Sequence, residues 1–190
     1  SNLDSTIAAY SRLGFDQVRV LGKAGVKNWQ RRNLATVRLA RANLGGAIVN
    51  WIEPLEGSFL FDEYRKEHGD GAMCLVHRFP DQQSKTDEVC RLGRNGIVMK
   101  DEIQLVTTEG TLNFTLMDTE TGGKYILGFT SGEDPMNIRE ALGDANRHAM
   151  KLNQYAFAIR DPEPVSAFWQ KAGLPAFQIN HPELGETRYY

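Results

Sequence analysis

Apolar and polar positions along this chain alternate in two rhythms, and the order in which the rhythms change predicts its architecture. From Asp4 to Leu13 the apolar residues Ile7, Ala8, Tyr10 and Leu13 recur at helical spacing, with Asp4 or Ser5 as N-cap and Gly14 as the stop. Phe15–Leu21 then alternates with the two-residue period of a strand. So does Leu34–Ala40, which sets Leu34, Thr36, Arg38 and Ala40 on one side. Gly45-Gly46 turns into Ala47–Ile52, whose nearly unbroken apolar character predicts a central strand. Glu53-Pro54-Leu55-Glu56-Gly57 ends that strand, a short helix covers Phe59–Glu67, and His68-Gly69-Asp70-Gly71 stops it.

The cycle then starts again. Ala72–Phe79 reads as a strand and Asp81–Leu92 as a helix with Val89 and Leu92 inward. Ile97–Met99, Thr111–Met117 and Lys124–Phe129 read as three more strands, with Thr121-Gly122-Gly123 as a tight turn. Ser131–Asn146 is expected as a connecting helix. A third cycle opens with a strand at Asn153–Ile159, a helix at Pro162–Ala172 and a strand at Phe177–Ile179. Its helix repeats the first one at a constant offset: Tyr10 and Leu13-Gly14-Phe15 become Trp169 and Ala172-Gly173-Leu174. Such repetition limits the possible folds more than any single motif does.

Each cycle is strand, helix, three strands. The first lacks its opening strand and the third its closing pair, so the chain is expected to be a fragment, with a permuted arrangement, in which Asn153–Ile159 supplies the missing strand, as the alternative. The expected domains are a pair of units over 1–130, a connector over 131–150, and the start of a further unit over 151–190.

Composition narrows the function more than the fold. Among 190 residues, 22 basic and 24 acidic side chains give a formal net charge of −2. That balance offers no electrostatic attraction to a phosphate backbone, so no nucleic-acid partner is expected. No apolar run approaches the roughly 20 residues of a membrane span, and no membrane partner is expected either. Cys74 and Cys90 have no paired spacing, so a reducing cytoplasm is the default compartment.

Four phrases occur in order along this pattern: Leu3-Asp4…Leu13-Gly14-Phe15, Trp51-Ile52-Glu53-Pro54-Leu55-Glu56-Gly57, His68-Gly69-Asp70-Gly71, and Asp118-Thr119…Gly122-Gly123. Together with the element order they resemble the vicinal oxygen chelate superfamily, which includes glyoxalase I, bleomycin-resistance proteins and extradiol-type dioxygenases. The wording is closest to methylmalonyl-CoA epimerase. The resemblance implies an α+β fold of repeated βαβββ modules, with curved, cup-like mixed sheets and helices outside. It also implies a divalent ion in the cup, bound by His and carboxylate ligands, on which adjacent oxygens of a substrate chelate.

Carried over residue by residue, the resemblance implies a damaged metal site. The ligand positions fall on Asn50, Cys74 and Leu127, and in the third cycle on Gln154. An apolar residue cannot hold an ion, and one thiol with one amide makes no closed set. No cofactor is therefore expected. Tyr125 alternates with Leu127, and by the family analogy both face the cup. Asn50, Cys74, Tyr125, Leu127 and Gln154 are thus the expected pocket lining, suited to an uncharged organic ligand. Other residues have plainer readings. His77 points away from Cys74 and is a surface residue, His68 ends its helix, and His148 and His181 lie in a connector and a loop. Cys74 is a small buried hydrophobe rather than a nucleophile.

The expected function is a small-molecule binder whose cup has lost its metal, in the bleomycin-resistance style, and a homodimer is expected. The alternative is a lyase, epimerase or dioxygenase whose divalent metal lies in the C-terminal module; catalytic residues are unassigned. A purely structural dimer is the third possibility.

Overall fold

The computed structural model describes residues 2–12, 18–28, 33–44, 47–57, 60–136, 159–174, 178–181 and 186–189. In chain order the elements are α1 (Leu3–Arg12), β1 (Arg19–Asn28), β2 (Asn33–Leu44), β3 (Ala47–Glu56), α2 (Leu60–His68), β4 (Cys74–Phe79), α3 (Gln82–Arg94), β5 (Met99–Thr107) and β6 (Gly110–Met117). A one-turn helix α4 (Glu120–Gly123), β7 (Ile126–Ser131), α5 (Pro162–Lys171), β8 (Gln178–His181) and β9 (Glu186–Tyr189) complete them. Seven strands form one mixed sheet in the order β3-β2-β1-β5-β6-β7-β4, and β8 pairs with β9 separately. The fold class is α+β, with the described helices outside the sheet.

The chain divides into two compact units. One comprises the described parts of 1–72, 102–114 and 133–154, the other those of 73–101, 115–132 and 155–190. In the first, β1, β2 and β3 form an antiparallel meander with Ala40 opposite Trp51, Arg38 opposite Glu53 and Arg41 opposite Asn50. One face of this meander carries α1. Arg38 donates to both carboxylate oxygens of Asp4 at 3.1 and 2.6 Å and to Glu53 at 3.1 Å. The ring of Tyr10 meets Trp51 edge-on, centroids 4.8 Å apart. The Arg38 hydrogen bonds hold the Asp4 carboxyl below its usual range. The opposite face presents Ala24, Val26, Val37 and Leu39, all buried.

The second unit is closed by its only parallel pairing among the described residues. β4 lies beside β7 with Cys74 opposite Ile126 and Leu75 opposite Leu127. Strands that run the same way need a long return path, here α3, β5 and β6. Asp81 caps α3 by accepting from the Ser84 N–H at 2.7 Å, which lowers its carboxyl pKa. Leu92, Ile97, Met117, Leu127, Phe129, Val165, Trp169 and Ala172 then form one apolar cluster. Arg91 ties α3 to the end of α5 by donating to the Ala172 carbonyl at 2.7 Å.

The repeat shows in the helices: α1 and α5 each have ten residues and the same offset bounds. Each also places an aromatic of its last turn 4.8 Å from another aromatic, Tyr10 on Trp51 and Trp169 on Tyr125.

Four local expectations are corrected. β3 ends the sheet rather than occupying its centre, and it runs on through Pro54. A proline has no N–H to give a ladder and belongs on an edge strand. Thr121-Gly122-Gly123 is helical within α4, not a hairpin turn, closed by Lys124 in the left-handed region at φ 68°. β5 extends to Thr107, well past Met99, because Asp101 and Glu102 interrupt the apolar signal of Ile103 and Leu105. Ser131 ends β7, and Pro135 and Met136 form a turn where the connecting helix was expected to be under way. The rest of that connector, most of the Asn153–Ile159 strand, and Phe177 lie outside the described residues.

α4 depends on two glycines beneath α5. A Cβ at Gly122 would meet the ring of Phe168, and one at Gly123 would meet the indole of Trp169. The Trp169 Nε1–H donates to the Gly123 carbonyl at 3.2 Å, so the indole cannot simply move away. Gly123→Ala should therefore destabilise the protein by about 1–3 kcal/mol, as overpacking does. Urea unfolding checks this: the midpoint should fall with the slope unchanged.

Candidate functional site

The strongest chemical feature is a charge on the face of the first unit opposite α1. Along β2 that face carries Ala35, Val37, Leu39 and Arg41, all buried, and then half-buried Asn43. Arg41 retains only 2% of its side-chain exposure, so burial would strip its guanidinium of water unless polar partners replaced it. They do. Its Nε donates to Asn50 Oδ1 at 2.7 Å, directly across the β2–β3 ladder. Its Nη1 donates to Asp134 Oδ1 at 2.9 Å and to the Met136 carbonyl at 3.5 Å. Asp134 Oδ1 also accepts from the Met136 N–H at 3.0 Å, which fixes the turn that carries the carboxylate.

This arrangement orients Asn50. Arginine has only donors, so the amide oxygen must face the guanidinium and the Nδ2 group must turn away from it. Two polar side chains are thus held rigidly beside a stripe of buried apolar residues, with Asn28 also buried on the neighbouring strand.

The expected pocket residues separate into distinct environments. Asn50 lies on the face of the first unit opposite α1, across the ladder from Arg41. Cys74 lies on β4 with Ile126 as its lateral neighbour, so its side chain is on the other side of the sheet from Leu75 and Leu127. Burial pushes its thiol up to about 11, which leaves it protonated and unreactive at neutral pH. Leu127 and Tyr125 do not share that face. Leu127 belongs to the apolar cluster with Leu92 and Val165, and Tyr125 stacks on Trp169 with centroids 4.8 Å apart and 24° between planes. The family analogy gave the wrong parity here, and the residue of this pair on the Cys74 face is Ile126. Burial also raises the Tyr125 hydroxyl pKa. Gln154 lies outside the described residues.

His77 is exposed, as expected of a surface residue. His68 sits in the last turn of α2 and packs on Tyr64, centroids 4.5 Å apart. Among the described residues no three His, Cys, Asp or Glu side chains gather as a metal set, and no helix is long and apolar enough to cross a membrane.

Sequence reasoning missed Arg41 and Asp134. Arg41 carried a signal: it breaks the apolar stripe Ala35, Val37, Leu39 at its fourth position. Asp134 carried none, since only the fold brings it to Arg41 across more than ninety residues.

Two measurements test this description. Asp134→Ala removes the counter-charge of a buried guanidinium and should cost about 3–5 kcal/mol. The Arg41→Met/Asp134→Ala double variant should lose less than the two single losses combined, as denaturant cycles would show. Iodoacetamide at pH 8 should alkylate exposed Cys90 and leave Cys74 intact, with Cys74 reacting only as the pH approaches about 11; peptide mass mapping reads both sites.

No protein-family model matches the chain, and no curated protein matches it. The crystal structure of the hypothetical protein BH1468 from Bacillus halodurans C-125 is similar, at 15% identity and a TM-score of 0.49, over 70% of this chain and 88% of that one.

Proposed function

We propose that this chain binds a small organic molecule beside Arg41 and Asn50 in its first unit, in the manner of a bleomycin-resistance or glyoxalase-like protein without its metal chemistry. The observation that carries the reading is the Arg41–Asn50 pair. It is polar and oriented, and it lies beside the buried apolar side chains of Ala35, Val37 and Leu39. Element order supports it: β4, α3, β5, β6 and β7 run strand, helix, three strands, with first and last strands parallel neighbours, as the βαβββ module requires.

The residues do not fit a divalent ion. Asn50 Oδ1, the oxygen that would have to serve as ligand, is already held 2.7 Å from a guanidinium nitrogen. A cation there would face a positive charge at close range in a poorly solvated setting. Cys74 offers a protonated thiol, and Leu127 offers nothing. Binding then rests on apolar burial and a few directed hydrogen bonds. The reading also keeps the expectation of a homodimer, and takes nucleic acid and membrane as non-partners.

Native mass spectrometry with elemental analysis of the same sample tests the reading. A bound organic molecule, or one captured from a small-fragment mixture, together with a melting temperature unmoved by EDTA, is the expected result. A divalent metal at one per chain whose removal lowers the melting temperature would overturn it.

A further inference from the structure

The C-terminal end of α3 carries chemistry of its own, independent of the ligand site. Asn95 is the helix C-cap at φ −90° and ψ 8°, and Gly96 follows in the left-handed region at φ 78°. The Gly96 N–H donates to the Gly93 carbonyl and the Ile97 N–H to the Leu92 carbonyl, each at 3.0 Å. This paired pattern is a Schellman cap, and its two apolar ends, Leu92 and Ile97, both belong to the buried cluster of the second unit. The same cap joins an asparagine to a glycine, and no other asparagine in the chain precedes a glycine.

Glycine has no side chain to shield its backbone nitrogen, and a five-membered ring can form between that nitrogen and the preceding asparagine amide. We infer that Asn95–Gly96 is a site of spontaneous deamidation, held back by the cap and released when the last turn of α3 opens. In that reaction the Gly96 nitrogen loses its proton to hydroxide and attacks Asn95 Cγ. The Cγ–Nδ2 bond breaks, ammonia leaves, and a succinimide ring closes. Water then opens the ring at one of its two carbonyls. Cleavage at Cγ gives aspartate, and cleavage at the main-chain carbonyl gives isoaspartate, whose chain runs through Cβ and Cγ.

The cap opposes both requirements of ring closure. It holds the attacking nitrogen by its N–H bond to Gly93, and ψ 8° keeps Asn95 Cγ out of the plane of the peptide it must join. Gly96 is exposed and Asn95 half-buried, so a local opening of this turn admits water without global unfolding. The two products differ in consequence. Aspartate puts a negative charge at the negative end of α3, but Lys171 offsets it, since its Nζ lies 3.5 Å from where a Gly96 Cβ would stand. Isoaspartate lengthens the main chain inside the cap, so the Gly96 and Ile97 bonds cannot both close and Ile97 is pulled from the cluster.

Incubation at pH 8 and 37 °C tests this, with peptide mass mapping for deamidation and an isoaspartate-specific methyltransferase for the lengthened product. Unfolded in urea, the chain should convert Asn95 ahead of its other asparagines; folded, it should do so at least tenfold more slowly. Ile97→Ala loosens the cap without touching the reacting pair, and should speed the folded reaction at least threefold while leaving the rate in urea unchanged. Asn95→Asp adds the charge without the extra carbon, and should melt close to the unaltered protein while the isoaspartate fraction melts lower. Asn95 remaining intact in urea overturns the site. Equal folded and unfolded rates, or a folded rate unmoved by Ile97→Ala, overturn the control by the cap. An Asn95→Asp protein that melts as low as the isoaspartate form overturns the role given to chain length. Should Ile97→Ala fail to fold, urea below the unfolding midpoint replaces it: conversion in the unaltered chain should quicken as urea rises, and a flat rate overturns the inference.

Discussion

The parallel ladder between β4 and β7 is the constraint from which the second unit follows. Cys74 and Ile126 are far apart in sequence yet lie side by side and run the same way. The chain between them must cross back over the sheet before β7 can form. α3 makes that crossing and claims one face, so Leu127 and Phe129 must be apolar to meet it. α5 lands on the same face with Val165 and Trp169, and the two-residue alternation leaves Cys74 and Ile126 opposite. The first unit obeys the same logic with α1 over the Ala40–Trp51 face, held by Arg38 and Tyr10.

On the remaining face of the first unit, a buried cation stands where an aliphatic side chain would pack with less risk. Replacing such ion pairs by apolar residues is often neutral or stabilising, so Arg41 and Asp134 are an expensive way to fill space. What the pair achieves is orientation. It fixes the Asn50 amide by a single allowed hydrogen-bond sense and anchors the 133–136 turn to β2. Stability alone does not call for that arrangement.

Much of the fold was legible because it is written in local periodicity. The α1 and α5 boundaries follow from a helical stripe that occurs twice, and the α3 cap from Asp81 three residues ahead of Ser84. The faults arose where one signal masked another. The apolar run of Ala47–Ile52 outweighed Pro54, although the proline marks an edge. Asp101 and Glu102 hid most of β5. The site was less legible because a strand's parity cannot be counted from a family pattern. The family analogy put Leu127 and Tyr125 with Cys74, whereas Leu127 lies in the apolar cluster with Leu92 and Val165. Arg41 was readable as an interruption in an apolar stripe, but its partner Asp134 is brought to it by tertiary structure alone.

The ring pairs on the two repeat helices have a consequence for light as well as for packing. Trp169 is fully buried, stacked on Tyr125 and bonded through its indole N–H, whereas Trp51 is half-buried against Tyr10. Among the described residues each unit thus carries one indole fluorophore, one excluded from water and one touched by it. With the chain's third tryptophan, Trp29, replaced, the colour of the intrinsic emission becomes a built-in gauge of which half has come apart.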